Sequence, residues 1–168
     1  ILVYTDAEIK HTNQNDAVLE FVDFWKDAKG KCPKMLIFDS KFTTYQNLSR
    51  LNKDGIKFLT LRRRGSNLKK SVEAIPENEW VNVKVEGERR KYAVISVHDS
   101  RCILRHYDGE IRQIIIKNNG RENPAFLVTN DLESSVGTLV RKYGRRWLVE
   151  QEIAEQVGFF HLNQPSSS

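Results

Sequence analysis

Apolar residues fall along this chain in two rhythms, and each predicts a type of element. Ile1-Leu2-Val3-Tyr4 is a short apolar run and reads as a strand. Val18, Phe21, Val22 and Trp25 recur at spacings of three and four, which predicts a helix from about Asn15 to Lys29. Thr12 or Asn13 would cap that helix, and Gly30 would end it. Met35 to Phe38 is apolar at every position, the pattern of a central strand covered on both faces. Thr43 or Thr44 then caps a helix through Leu48 and Leu51, and Asp54-Gly55 stops it. Ile56 to Leu61 is a further strand, running into Arg62-Arg63-Arg64-Gly65. This β-α-β-α-β order predicts an α/β fold with a three-layer sheet.

The rhythm changes near Pro76. From Trp80 the chain alternates through Val81, Val83 and Val85, and Glu86-Gly87-Glu88 reads as a turn. Tyr92 to Val97, Cys102 to Tyr107 and Ile111 to Ile116 continue as strands, with Asp108-Gly109 as a hairpin signal between the last two. Asn118-Asn119-Gly120 makes another turn, and Ala125 to Thr129 is one more strand. A helix is expected from about Leu132 to Val157, capped by Asp131 and ended by Gly158. The chain therefore divides into a core of residues 1–77 and 121–162, an inserted antiparallel β subdomain of residues 78–120, and a tail of residues 163–168.

Composition narrows the class. Hydrophobic residues make up 39% and charged residues 29%, as in a soluble globular protein. No apolar run approaches the roughly 20 residues that span a bilayer, so neither a membrane partner nor a signal peptide is expected. Cys32 and Cys102 are far apart and form no CxxC pair, which suits reduced thiols in a cytoplasmic protein. The chain opens on Ile1 and closes on three serines, and it reads as a fragment.

The net charge of +5 favours an anionic partner, and its distribution is more telling. Residues 1–30 hold six acids and three bases, whereas residues 50–70 hold eight bases and one acid, Asp54. Basic density thus follows the Met35–Phe38 strand, through Arg62, Arg63 and Arg64, where a nucleic-acid backbone would approach a cleft. A solvated basic loop is the alternative reading of the triple arginine. Arg89-Arg90-Lys91 and the span from Arg101 to Arg112 make the β region basic as well, suited to salt-sensitive, sequence-independent phosphate contacts.

Two acids stand out. Glu150 lies on the apolar stripe Leu139, Tyr143, Trp147, Glu150, Ile153 or Ala154, and Val157 of the last helix. A carboxylate on that face must be paired, bound to metal or at the edge of a cleft. Tyr143 and Arg146 precede it by seven and four residues and share its face. Asp39 ends the apolar strand Met35–Phe38, and open α/β sheets place ligands outside such strand ends. Asp39 and Glu150 together suggest a divalent-metal site for Mg2+ or Mn2+, which prefer carboxylate oxygen. The alternatives are a helix-capping or turn aspartate before Ser40, and a surface pair of Glu150 with Arg146 worth a few tenths of a kcal/mol. Tyr143 and Arg146 could hold a phosphate, or could pack as an aromatic with a snorkelling arginine. Asp99 and Asp108 sit in turns, and histidines 11, 98, 106 and 161 show no metal spacing.

These motifs resemble a family. Phe38-Asp39-Ser40-Lys41, followed by Leu51-Asn52-Lys53-Asp54-Gly55-Ile56 and Leu61-Arg62-Arg63-Arg64, is similar to the second-aspartate region of bacterial DDE transposases. Tyr143-x-x-Arg146-x-x-x-Glu150 resembles their Tyr-Arg-Glu-Lys signature, with Val157 where the lysine is expected. The resemblance runs from Tyr4 to Leu162 and implies a ribonuclease H-like core with a β-rich insertion between the second and third acids. It implies DNA cleavage and strand transfer with two Mg2+ or Mn2+ ions held by Asp39 and Glu150, and transposon ends and target DNA as partners. The first aspartate of that fold belongs to strands that would precede Ile1, with Asp6 as the nearby substitute. A chain lacking one acid would be inactive alone although its parent is an enzyme, or would be a non-catalytic DNA-binding remnant. An unrelated α/β protein with a nucleic-acid-binding β block is a third reading. A sheet edge left open by missing strands would pair with a second copy, giving a homodimer.

Overall fold

A computed structural model describes residues 14–62, 66–84, 94–118 and 123–146. Ile1–Tyr4, Asp6, Arg63, Arg64, Arg89–Lys91, Trp147, Glu150 and Val157 lie outside the described residues.

The first helix, α1 (Ala17–Lys29), follows a 3₁₀ turn and buries Val18 and Val22. Gly30 ends it at φ +66°, a left-handed conformation that glycine adopts without strain, and its N–H bonds the Lys26 carbonyl at 2.7 Å. Strand β1 (Met35–Phe38) and helix α2 (Tyr45–Lys53) come next. Thr44 caps α2 by accepting from the Asn47 N–H at 3.1 Å, and Gly55 (φ +71°) turns the chain into β2 (Lys57–Leu61). Leu48 and Leu51 of α2 are fully buried, each worth about 2 kcal/mol of apolar burial. Helix α3 (Ser66–Glu73) has no counterpart in the sequence reading. Strands β3 (Val81–Lys84), β4 (Val94–Ile103), β5 (Glu110–Lys117) and β6 (Ala125–Thr129) follow. Helix α4 covers 136–146, up to the edge of the described residues.

The strands form one mixed sheet in the order β1-β2-β6-β5-β4-β3. β1 and β2 are parallel, and every other neighbouring pair is antiparallel. Side chains on alternate strand positions reach opposite faces. Phe58, Val128 and Ile111 pack with α1 and α2, and Ile115 and Phe126 pack with α3, all on one face. Leu59, Leu127, Ile114 and Ile116 pack on the other face against Leu139, Val140 and Tyr143 of α4. The result is a three-layer α/β arrangement.

Among the described residues β1 pairs only with β2, and its four residues are half-buried. Two expectations change. Cys102–Tyr107 is not a separate strand, because β4 runs unbroken along β5 until Ile103 opposes Glu110, leaving Leu104–Gly109 as a six-position loop. Asp131 does not cap α4. Ser135 does, accepting from the Thr138 N–H at 3.3 Å, while Asp131 builds the preceding turn.

Candidate functional site

Phe38 packs on the α1/α2 side of the sheet, so the next residue along the extended chain turns to the α4 side. Asp39 is extended at φ −78°, ψ 147°, and its carboxylate lies there. Arg146, on α4, brings an Nη1 to 3.9 Å from the Asp39 Oδ2, with side chains 14% and 26% exposed respectively. The Arg146 guanidinium sits 5.0 Å from the centroid of the buried Tyr143 ring, a cation–π distance that helps fix its plane. Asp39 therefore meets Arg146 and its neighbour Tyr143, from the far end of the chain, at one end of the sheet.

The same carboxylate also serves its own turn. Asp39 Oδ1 accepts from the Lys41 N–H at 3.0 Å and from the Ser40 hydroxyl at 3.4 Å. At 3.9 Å the Arg146 contact is an ion pair wider than a hydrogen bond. Asp39 is thus a turn aspartate whose second oxygen faces a cation across a gap. Carboxylate oxygen is the ligand that Mg2+ and Mn2+ prefer, so its chemistry fits. One carboxylate does not make a metal site. Among the described residues, no group of three or more His, Cys, Asp or Glu could hold a metal.

Arg62 is placed elsewhere. Its position follows the alternation of Phe58 and Thr60 to the α1/α2 side, where its Nη1 donates to the buried Gln113 side chain and approaches the Cys102 sulfur at 3.8 Å. Burial raises the Cys102 thiol pKa, and the Arg62 charge works against that. Arg62 is not brought to Asp39, Tyr143 and Arg146.

A second acid cluster escaped the sequence reading except as a cap. Asp131, 2% exposed, follows β6. Its Oδ1 accepts from the Glu133 and Ser134 N–H groups at 3.2 and 3.1 Å, and its Oδ2 from the Ser134 hydroxyl at 2.6 Å. Lys57 Nζ lies 3.3 Å from it and 2.9 Å from Glu133. Burial opposes the Asp131 charge, but the Ser134 hydroxyl, the two N–H groups and Lys57 outweigh it, holding the carboxyl at about 2. Arg112 completes the clamp, donating to the carbonyls of Asp131 (3.1 Å) and Ser134 (2.7 Å) while paired with Asp99 at 2.7 Å. The Asp99 hydrogen bond raises the Arg112 pKa. This network ties the start of α4 to β2 and β5, and through α4 it sets where Arg146 stands.

No helix among the described residues is long and apolar enough to cross a membrane. Comparison with curated proteins found no match. Comparison with protein families found one, described as a transposase DDE domain, over residues 2–163.

Proposed function

The chain belongs to the transposase DDE domain family, and from that premise we propose that it is part of a transposase catalytic domain that cuts and joins DNA by two-metal phosphodiester chemistry. The observation that supports this most directly is the meeting of Asp39 with Arg146 across the sheet end. Family membership implies DNA as the partner and divalent ions as cofactors. In this reading the fold is ribonuclease H-like, residues 1–77 and 121–162 are its core, and residues 78–120 are an insertion that extends the core's sheet.

Asp39 and Glu150 would hold Mg2+ or Mn2+. When bound, two such ions supply an activated nucleophile and stabilise the leaving oxygen. The protein's own groups do the rest. Asp39 offers one oxygen to the site while its turn bonds fix the carboxylate plane. Arg146, its plane steadied by Tyr143, can bond two oxygens of a DNA phosphate and hold the strand beside the acids. Arg50, Lys53, Arg63, Arg64, Lys69 and Lys70 would follow the backbone and make binding fall with salt. In this account Arg62 supports the basic loop through Gln113.

A second reading, a DNA-binding remnant of the same fold, draws on Val157 standing where the family pattern has lysine. Metal-dependent cleavage of a DNA duplex by the parent transposase separates the two. Asp39→Asn and Glu150→Gln should each lower cleavage by about a thousandfold while duplex binding persists. Cleavage undiminished in both variants would contradict the catalytic reading. Duplex binding with no metal-dependent cleavage in the unmodified protein would favour the remnant.

A further inference from the structure

Next to Asp39, but on the α1/α2 side of the sheet, Ser40 helps line a pocket of about 350 Å3. That is the low end of the roughly 300–1,000 Å3 of small-ligand sites. Its walls are Tyr45, Leu48 and Leu61, with Gln46 and His106 also lining it. Thr60 lines it too. Thr60 sits opposite Phe38 of β1 and Val128 of β6, so its side chain faces α2. The residue is 1% exposed, and its hydroxyl has no hydrogen-bond partner among the described residues. A buried hydroxyl left unpaired costs about 1–3 kcal/mol, so its place in a pocket wall calls for an acceptor or donor arriving from outside. A second groove shares Gln46 and His106 with this pocket and is lined by Arg50, Lys53 and Asp108. Lys53 and Asp108 form an exposed pair at 2.7 Å, which leaves the groove one net positive charge from Arg50.

The geometry points to a seat for one unstacked nucleobase of a DNA strand, with the adjoining phosphate in the Arg50 groove. This rests on the DNA reading above. Apart from the histidine, the lining residues carry no charge-bearing group, so a phosphate inside would lose its hydration uncompensated. A flat, uncharged ring would instead stack on apolar and aromatic walls and present a polar edge to the Thr60 hydroxyl and the Gln46 amide. The cation lies outside the pocket, where the backbone of the same nucleotide would run.

The test is fluorescence anisotropy of the chain with a labelled oligothymidine of about 12 nucleotides, an abasic strand of equal length, and a duplex of equal length. The unmodified chain should prefer the thymidine strand to the abasic strand by about tenfold. Thr60→Val and Gln46→Trp should each erase that preference while leaving duplex affinity within about twofold. Thr60→Val keeps the shape and removes an unpaired hydroxyl, so it should not lower the melting temperature, which separates loss of a contact from loss of fold. Equal affinity of the unmodified chain for the thymidine and abasic strands, or a preference that survives both variants, would overturn the proposal and leave the DNA reading intact. Absence of binding to all three probes would overturn both.

Discussion

Asp39 and Asp131 each follow a strand, and their surroundings differ sharply. Asp131 is buried under three hydrogen bonds from its own turn and an ammonium from Lys57, and its carboxyl is held at about 2. Asp39 is about a quarter exposed, and among the described residues one of its oxygens faces an arginine at 3.9 Å. The lesson is that coordination separates a structural acid from an available one. A carboxylate whose lone pairs are filled by fixed donors stabilises the fold and has nothing left for a ligand. One that is half-satisfied at a sheet end can take a metal.

That contrast can be broken by exchange. Asp131→Ala should cost about 2–4 kcal/mol, because the donors of Glu133, Ser134 and Lys57 lose their acceptor, and melting should fall by about 5–15 °C. Asp39→Ala should shift melting by only a few degrees, since it loses two local turn bonds, one of them long, and a wide ion pair. A large loss from Asp39→Ala would make it a second structural acid.

Acid titration sharpens the same point. The folded pKa of Asp131 lies below its ordinary value of 3.8, at about 2. A depressed acid contributes its stability in full above its unfolded pKa and loses it as pH falls through the folded pKa. Asp131 should therefore supply about 2 kcal/mol at neutral pH that disappears between pH 4 and 2. Denaturant midpoints measured across that window should converge for the unmodified chain and Asp131→Asn. Parallel curves would show that the clamp is not charge-dependent. The smallest effect concerns the Arg146–Asp39 pair itself, whose coupling in a double-mutant cycle of Arg146→Gln with Asp39→Ala should be less than about 1 kcal/mol, because the pair is wide. A stronger coupling would mean that the pair holds the fold together and leaves Asp39 no freedom for a ligand.

Several elements were legible in the sequence. Met35–Phe38 reads as a strand because it is apolar throughout, α2 because Thr44 caps it and Asp54-Gly55 stops it, and β6 because its apolar run is bounded by Pro124 and Asn130. These signals are local. Helix α3 was hidden because Leu68 and Val72 are its few apolar residues, and what they pack against, Ile115 and Phe126, is supplied by distant strands. Strand β4 was split in the reading because Asp99, Ser100 and Arg101 interrupt its alternation, whereas pairing to β5 carries the ladder through them. That β1 neighbours β2 depends on which strands pair, which periodicity does not encode. Within the candidate site, Asp39, Tyr143 and Arg146 were each identifiable from motif and stripe, but their contact spans 107 positions and only the fold supplies it. Asp131 was read as a helix cap by its spacing. Lys57 and Arg112, which complete its clamp, gave no sequence signal because they come from β2 and β5.

The central claim is that Asp39 is the available acid and shares a metal with Glu150. Calorimetric titration of Mn2+ into the chain, and into Asp39→Asn, Glu150→Gln and Asp131→Asn, tests it most directly. The account predicts binding that is lost in the first two variants and kept in the third. Binding retained in both Asp39→Asn and Glu150→Gln, or lost in Asp131→Asn at a temperature where that variant is folded, would contradict it.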